Sequence, residues 1–213
     1  MSDLAALRGR AALLLGDSSY TRYSTDMIVE ALRSALAELN RSAPQTSESV
    51  LSLTSAGREV DLSDINGLVE VLDAWWPYES EGWPPNRVSG WRLYWQSGSP
   101  VLLLHDGAGG EPQAGESLRL WYAAAHTLEY LDGATSTSLP ADWETALVEA
   151  AAGGCAVLRG LALIEAEEVD LYQAGLLVAW GRLKLKAWVE FLRVQRERFK
   201  RAGAPWGTGW QMD

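Results

Sequence analysis

The sequence predicts an α+β protein: an α-helical bundle of about four helices, including a long C-terminal helix, with an antiparallel β insertion in the middle and an extended C-terminal tail. Apolar residues recur at helical spacing near both ends of the 213-residue chain, whereas the period changes to two between them. Clusters of Gly, Pro, Ser and Asn punctuate this middle region as turns do. We therefore expect a discontinuous helical bundle over residues 1–45 and 133–201, a β-rich insertion over 46–132 and a tail over 202–213.

Two helices are predicted before the β region. Ser2 can cap the first helix, because its hydroxyl can accept a hydrogen bond from a free backbone N–H of the first turn. Ser24 or Thr25 caps the second helix, and Asn40 and Pro44 terminate it. Helical spacing gives the second helix an apolar face that consists of Ile28, Leu32, Ala35, Leu36 and Leu39.

Five or six short strands are predicted in the middle region, where apolar and polar residues alternate. The segments are 49–53, 59–62, 67–76, 90–95, 101–104 and 116–122. Short strands that are separated by turns containing Gly and Pro are typical of an antiparallel sheet or a small sandwich.

Two further helices follow the β region. Pro140 suits the first turn of the third helix, where a missing N–H costs no hydrogen bond. The Gly153-Gly154 pair in this helix indicates either the close approach of another helix or a local break. The fourth helix is predicted over 166–201, with a length of about 50 Å. Its predicted apolar face consists of Val169, Tyr172, Leu176, Trp180, Leu183, Ala187, Phe191 and Phe199.

Charge restricts the classes of function. The net charge of −10 argues against a protein that grips the phosphates of duplex DNA. The charge is uneven, because residues 182–201 carry eight Lys/Arg and two Asp/Glu, so that a basic helix adjoins an acidic body. Such a distribution suits self-assembly, in which the basic face of one subunit meets the acidic face of its neighbour, although a solvated helix face gives the same pattern.

The sequence pattern shows neither a membrane-spanning segment nor a signal peptide. No apolar run approaches the ~20 residues of a membrane span, and the N-terminus has no signal-peptide pattern. The single cysteine, Cys155, lies on a helix beside Ala and Gly, which indicates a small core residue. A reducing, cytoplasmic site of synthesis is therefore expected.

Candidate catalytic or metal-binding groups are few. The chain has two histidines: His105 lies at a Gly-rich turn beside Asp106, and His126 lies near Glu129. A polar connector explains His126 better than an acid–base pair does. A glycosidase in a β-sandwich cleft needs two acids, and the available ones are Asp61, Asp64, Glu70 and Asp73. Availability alone does not indicate catalysis, so we expect no enzyme, no metal and no cofactor.

Tryptophan is unusually frequent, with eleven residues. Indole rings often anchor interfaces, although a Trp-rich core accounts for most of those in the middle region. Trp206 and Trp210 belong to a Gly-rich tail that cannot form a core by itself. From the residues alone, docking of this tail on a partner and its folding back onto its own subunit are both open.

Three stretches carry a resemblance to a known family. The first is DMIVEALRSALAELNRSAPQ, 26–45, an early helix that leads directly to a strand. The second is SLRLWYAAAHTLEYLDG, 117–133, a strand that ends in an aromatic residue before a His-containing link. The third is SLPADWETALVEAAAGGCAVL, 138–158, a Leu-Pro step into an Ala-rich helix. Together they resemble the head-to-tail connector (adaptor) proteins of tailed bacteriophages, although the Trp-rich segment 73–95 departs from the plainer β hairpin of many members.

The resemblance implies a structural protein of the virion neck that is synthesised in the host cytoplasm. Such adaptors form a ring, usually of twelve subunits, beneath the portal protein; the ring extends the DNA channel and offers a surface to stopper and tail proteins. DNA passes through without specific binding, and no membrane is involved. The resemblance implies a tail that docks on the portal through Gly203, Pro205, Trp206, Trp210 and Met212. It also implies a basic helix end near the portal or a neighbouring subunit, formed by Arg193, Arg196, Arg198, Lys200 and Arg201.

Two alternatives remain open. A carbohydrate- or surface-binding β module would present two or three coplanar, solvent-facing rings as stacking platforms. The candidates for those platforms are Trp75, Trp76, Trp83, Trp91 and Trp95. An adaptor would bury most of these rings or place them at subunit contacts. Another neck or tail-completion protein would assemble in a similar way to an adaptor.

Overall fold

The chain divides into two compact units. The computed structural model describes residues 2–82, 84, 86–105, 110–164 and 171–202, of which 201 and 202 are described by their backbone alone. The described residues form four helices and six strands, which confirms the predicted α+β class. The helical unit comprises Met1–Ala43 and His126–Arg198, and the β unit contains Pro44–Ala125.

The helical unit is built on helices α1 to α4. They span Leu4–Leu14, Thr25–Ser42, Glu144–Ile164 and Leu171–Ala202, in that order. Ser24 caps α2, because its hydroxyl accepts the backbone N–H of Met27 at 3.2 Å. The predicted cap of α1 was wrong: Asp3 caps this helix, and its carboxylate accepts the backbone N–H of Ala6 at 2.8 Å. A carboxylate at this position also stabilises the positive end of the helix dipole.

Ser2 instead holds the start of α3. Its backbone N–H and its hydroxyl both donate to the carboxylate of Glu144 at 2.8 Å, and Arg10 of α1 donates to the same group at 2.9 Å. Burial raises the pKa of Glu144, but the hydrogen bonds from Ser2 and the charge of Arg10 outweigh it and hold this pKa below its usual value. The N-terminus, α1 and α3 therefore meet at one ionised carboxylate.

Asn40 lies inside α2, so the prediction that it terminates this helix was wrong. Its side-chain oxygen accepts the backbone N–H of His126 at 2.7 Å, and its amide nitrogen donates to the His126 carbonyl at 3.1 Å. The Nε2 atom of His126 lies 3.1 Å from the carbonyl oxygen of Ala43. The ring of Trp143 packs edge-on against the imidazole, with the centroids 5.3 Å apart. Burial lowers the pKa of His126, because removal of water disfavours the charged imidazolium.

Helices α3 and α4 approach each other closely at three glycines, which are Gly153 and Gly160 of α3 and Gly181 of α4. A Cβ atom added at Gly153 would lie 2.8 Å from the Cβ of Lys184, and one added at Gly181 would lie 2.5 Å from the carbonyl oxygen of Gly153. These positions therefore exclude a side chain. Helix α3 is unbroken at this point, so the predicted close approach explains Gly153, whereas a Cβ at Gly154 would meet nothing within 4 Å.

The side of α4 that is buried is not the apolar face that the sequence predicted. The buried residues recur at intervals of seven and are Ala174, Gly181, Trp188 and Gln195. Two of the four, Ala174 and Gly181, are small, and they lie where α3 comes closest. The indole N–H of Trp188 donates to Glu38 of α2 at 2.8 Å, which ties α4 to α2 as well. From the predicted face, Tyr172, Leu176 and Leu183 are exposed.

Helix α3 is long and apolar enough, by length and composition alone, to cross a membrane. This finding differs from the expectation that no apolar run approaches that length. Ten residues of α3 are buried within the described structure, including Leu147, Val148 and Cys155. The central helix of a globular unit has the same composition, because its neighbours cover it on most sides. We therefore describe α3 as the core helix of the helical unit.

The β unit consists of two three-stranded antiparallel sheets, with strand orders β1-β6-β3 and β2-β5-β4. The strands span Gln45–Ser52, Glu59–Asp61, Leu68–Trp75, Trp91–Gln96, Ser99–Leu104 and Ser117–Ala124. One apolar core joins the two sheets; it includes Leu102 and Leu104 of β5 and Leu118 and Leu120 of β6. The predicted antiparallel strands are confirmed.

Replacement of Gly181 by alanine is expected to destabilise the helical unit by about 1–3 kcal/mol. The reason is that the new Cβ would overlap the carbonyl oxygen of Gly153 and the side chain of Val157. Gly175→Ala is the matched control in the same helix, since its Cβ would meet nothing within 4 Å, and it should stabilise by about 0.5–1 kcal/mol. Urea unfolding followed by helical circular dichroism measures both; equal effects of the two variants would contradict close packing.

The buried imidazole of His126 makes the free energy of unfolding depend on pH. Its folded-state pKa lies below the ordinary 6.5, so the unfolded chain binds the proton more readily. Stability should therefore fall as the pH drops from about 7.5 through the unfolded-state pKa toward the folded-state pKa. His126→Gln should flatten this dependence, whereas His105→Gln, at the exposed second histidine, should retain it. Unfolding measured at a series of pH values tests this, and an unchanged slope in the His126 variant would refute it.

Candidate assembly surface on the helical unit

Large apolar side chains line the solvent-facing side of α4. Tyr172, Leu176 and Leu183 are 76%, 54% and 65% exposed, and the exposed Ala179 and Ala187 continue the row. Successive intervals of four, three, four and four residues keep these side chains on one side of the helix. We call these five residues the α4 stripe.

The α4 stripe lies opposite the side of α4 that packs on α3. Leu183 follows the buried Gly181 by two residues, which is a rotation of about 200° around the helix axis. Each leucine-sized side chain that stays in water forgoes about 1.5–3 kcal/mol of burial free energy. Contiguous exposed apolar surfaces mark sites of interaction. The sequence analysis placed four of these residues, all but Ala179, on the predicted apolar face of the helix, and the structure leaves them exposed as a candidate contact surface.

A row of basic side chains runs along α4 beside the stripe. It consists of Arg182, Lys186, Arg193, Arg196 and Lys200, at intervals of four, seven, three and four residues. This spacing places the five on one side of the helix. Arg182, Lys186 and Arg196 are exposed and form no ion pair with any described residue. We call this set the α4 basic row.

Three members of the predicted basic helix end, Arg193, Arg196 and Lys200, belong to the α4 basic row. Arg193 donates to Glu190 at 2.6 Å, and this hydrogen bond holds the pKa of that carboxyl below its usual value. Arg198 lies on another side of α4 and donates to the side-chain oxygen of Gln195 at 3.3 Å. The remaining predicted site residues lie outside the described residues; they are the side chain of Arg201 and the whole of Gly203, Pro205, Trp206, Trp210 and Met212.

Of the four described tryptophans that were proposed as stacking platforms, two are buried, one is half-buried and one is exposed. Trp75 and Trp76 are 7% and 6% exposed, and each donates its indole N–H to a carboxylate. Trp91 is half-buried, whereas Trp95 is 55% exposed. Trp83 lies outside the described residues. The burial of Trp75 and Trp76 is the arrangement expected of an adaptor rather than of a glycan-binding module.

An arginine occupies aromatic faces that a bound sugar would need. The guanidinium carbon of Arg119 lies 4.4, 5.2 and 5.5 Å from the ring centroids of Trp121, Tyr78 and Trp75. Arg119 also donates to Glu48 at 2.8 Å. Cation–π attraction of this kind stabilises the β unit internally. Arg119 was not identified from the sequence, although the alternation of β6 puts it on the face opposite the apolar core.

The candidate acids serve structural contacts or face solvent. Asp73 is fully buried and accepts hydrogen bonds from the backbone N–H of Ala74, the indole of Trp75 and the guanidinium of Arg87, at 2.9, 3.2 and 2.8 Å. The other three candidate acids are exposed, namely Asp61, Asp64 and Glu70. Within the described ranges, no three His, Cys, Asp or Glu side chains come together in a way that could hold a metal ion.

The solved structures that are similar to the chain include two from gene transfer agent particles. One is described as "Neck of empty GTA particle computed with C6 symmetry", where GTA is a gene transfer agent; it is 19% identical, the match covers 70% of this chain and 74% of that chain, and the TM-score is 0.33. The other is described as "Virion of native gene transfer agent (GTA) particle"; it is 17% identical, with coverage of 83% and 86% and a TM-score of 0.33. No curated protein matches the chain.

A family comparison covers most of the sequence. The model of the SU10 adaptor protein family matches residues 2–176, which include both of the first two helices, all six strands and α3. The match confirms the resemblance to adaptor proteins that the three sequence stretches indicated. The chain belongs to the SU10 adaptor protein family.

Proposed function

We propose that the chain is a structural protein of a phage-like virion neck, an adaptor that assembles into a ring beneath the portal protein. The ring lengthens the DNA channel and gives stopper or tail proteins a surface to bind. The observation that carries this proposal is the α4 stripe. Apolar side chains that stay in water do not stabilise an isolated subunit, whereas a partner that covers them makes their burial favourable. Membership of the adaptor family supports the same role.

The charge of the subunit suits the wall of a DNA channel. Each chain carries a net charge of −10, so a ring of twelve carries about −120, and such a wall repels phosphate groups. DNA then passes through the ring without specific binding. The α4 basic row is the exception in this acidic protein, and it suits a contact with an acidic surface of another protein.

The C-terminal end of the chain is the proposed attachment to the portal. The tail contains two indole rings, Trp206 and Trp210, of the kind that anchor interfaces. It follows α4 directly in the sequence, so the C-terminal part of the α4 basic row, Arg193, Arg196 and Lys200, and the tail are consecutive parts of one attachment. A tail-completion protein would use the same surfaces on a different partner. Binding to the portal therefore distinguishes the two roles and is the first test.

The full chain, mixed with the portal ring of the same particle, is expected to add a ring of density in negative-stain microscopy. A chain that ends at Ala202 should add none, because it lacks both indole anchors. The double variant Trp206→Ala with Trp210→Ala should bind the portal at least about tenfold more weakly. Trp95→Ala is the control, because Trp95 is an exposed tryptophan of the β unit and its removal should leave portal binding unchanged.

Two results would overturn this assignment. No added density from the full chain would exclude the portal as the partner and favour a tail-completion protein. Density added equally by the full and the shortened chains would show that the tail is not the attachment. Microscopy of the same grids without portal distinguishes a ring that forms by itself from one that needs the portal.

A further inference from the structure

A groove on the helical unit has an apolar lining and an acidic rim. It encloses about 540 Å³ between α2, α3 and α4. Its lining includes Ala31 and Ala35 of α2, Ala150, Gly154 and Val157 of α3, and Leu185 of α4. Five of the twelve lining residues are small, namely Ala31, Ser34, Ala35, Ala150 and Gly154. A Cβ at Gly154 would meet nothing within 4 Å, so the groove is open at its α3 side. We call it the α2–α3–α4 groove.

The length of this groove matches the part of the α4 stripe that carries large side chains. Along α2, the lining extends from Met27 to Glu38, which is about 16 Å at the rise of an α-helix. The large side chains of the stripe extend from Tyr172 to Leu183, which is also about 16 Å. Helices pack by fitting projecting side chains into grooves between others. A helix side with large residues therefore complements a groove with small ones.

Charges of opposite sign border the two surfaces. Glu30 and Glu38 line the groove and are exposed. Glu30 forms an ion pair with Arg33 of the same helix, whereas the hydrogen-bond partner of Glu38 is the neutral indole of Trp188. Arg182 and Lys186 are exposed beside the stripe and form no ion pair with any described residue. Complementary charges around an apolar contact orient the two partners and fix their register.

The groove and the stripe face in different directions. Leu185, which lines the groove, follows Leu183 of the stripe by two residues and is therefore rotated about 200° around the helix axis. A subunit cannot cover its own groove with its own stripe. Two different complementary surfaces on one molecule produce a head-to-tail contact, which repeats from copy to copy and closes into a ring when the rotation allows.

We propose that the α4 stripe of one subunit packs into the α2–α3–α4 groove of the next copy of this chain. In this contact Arg182 and Lys186 lie beside Glu30 and Glu38 of the neighbour. The inference rests on the proposed ring, for which it names the two surfaces that join adjacent subunits. In this arrangement a neighbouring subunit covers the exposed apolar side of α4, and the C-terminal tail stays available to bind the portal.

Cross-linking between introduced cysteines tests this contact. The native Cys155 is fully buried, and burial raises the pKa of its thiol to about 11, so it stays unreactive near neutral pH. Leu183→Cys in the stripe and Ser34→Cys in the groove are both at exposed positions. The two variants are mixed, assembled into rings on the portal and treated with a short bismaleimide.

The expected result is a covalent dimer of one Leu183→Cys chain with one Ser34→Cys chain. It should form at least about tenfold faster than the dimer of Val189→Cys with Ser34→Cys, because proximity raises the effective concentration. Val189 is the matched control, since it is 65% exposed, as Leu183 is, but lies on another side of α4. Circular dichroism of each variant confirms that the helices are retained.

The other outcomes separate this inference from the proposed function. Rapid dimers of Leu183→Cys with itself would overturn the contact, because they indicate a two-fold contact between identical surfaces. Rings in microscopy together with equal rates for the Leu183 and Val189 pairs would also overturn it, while the ring function would stand. Absence of any ring with the full chain would overturn both.

Discussion

The close contact between α3 and α4 is the constraint on which the helical unit depends. Gly153, Gly160 and Gly181 bring the two helices so near that a single added carbon at any of them would overlap a neighbouring atom. Close approach multiplies dispersion contacts between the backbones, which offsets the helix-propensity cost of about 1 kcal/mol per glycine. Because only the side of α4 that carries Gly181 can enter this contact, the contact also fixes the rotation of α4 about its own axis.

That rotation decides which side chains of α4 meet water. It directs Trp188 toward Glu38 of α2 and leaves Tyr172, Leu176 and Leu183 exposed on the opposite side. An outer side of this kind is unfavourable for an isolated subunit and favourable in an assembly that covers it. The α4 stripe, the α4 basic row and the α2–α3–α4 groove therefore have fixed positions relative to one another as consequences of one packing contact.

The β unit uses its aromatic residues differently. Trp75 and Trp121 stack around the guanidinium of Arg119, and the indole of Trp75 also donates to the buried Asp73. These contacts stabilise the β1-β6-β3 sheet on the face opposite the apolar core and occupy the ring faces that a ligand would need. Among the described residues, these aromatic faces are therefore used in contacts within the β unit.

Much of this protein follows from the sequence by itself. Apolar periodicity located the four helices and the antiparallel strands, composition placed Cys155 in the core, and three short stretches indicated the adaptor family that the family comparison confirms. Such signals are local, because a helix or strand records its own repeat in its own residues. The role of Ser2 and the interior position of Asn40 were missed, since their partners, Glu144 and His126, are remote in the chain.

Only the tertiary structure decided which side of α4 is buried. The sequence pattern favoured the side with large apolar residues, whereas the structure buries the side with Ala174 and Gly181. Small residues contribute little to a hydrophobic pattern, yet they allow the closest helix packing. The glycines of α3 that they meet, Gly153 and Gly160, belong to another helix, so the pattern of α4 alone does not show the contact. The large apolar residues of the predicted face are therefore left exposed, because the packing of α3 against α4 buries the side with the small residues.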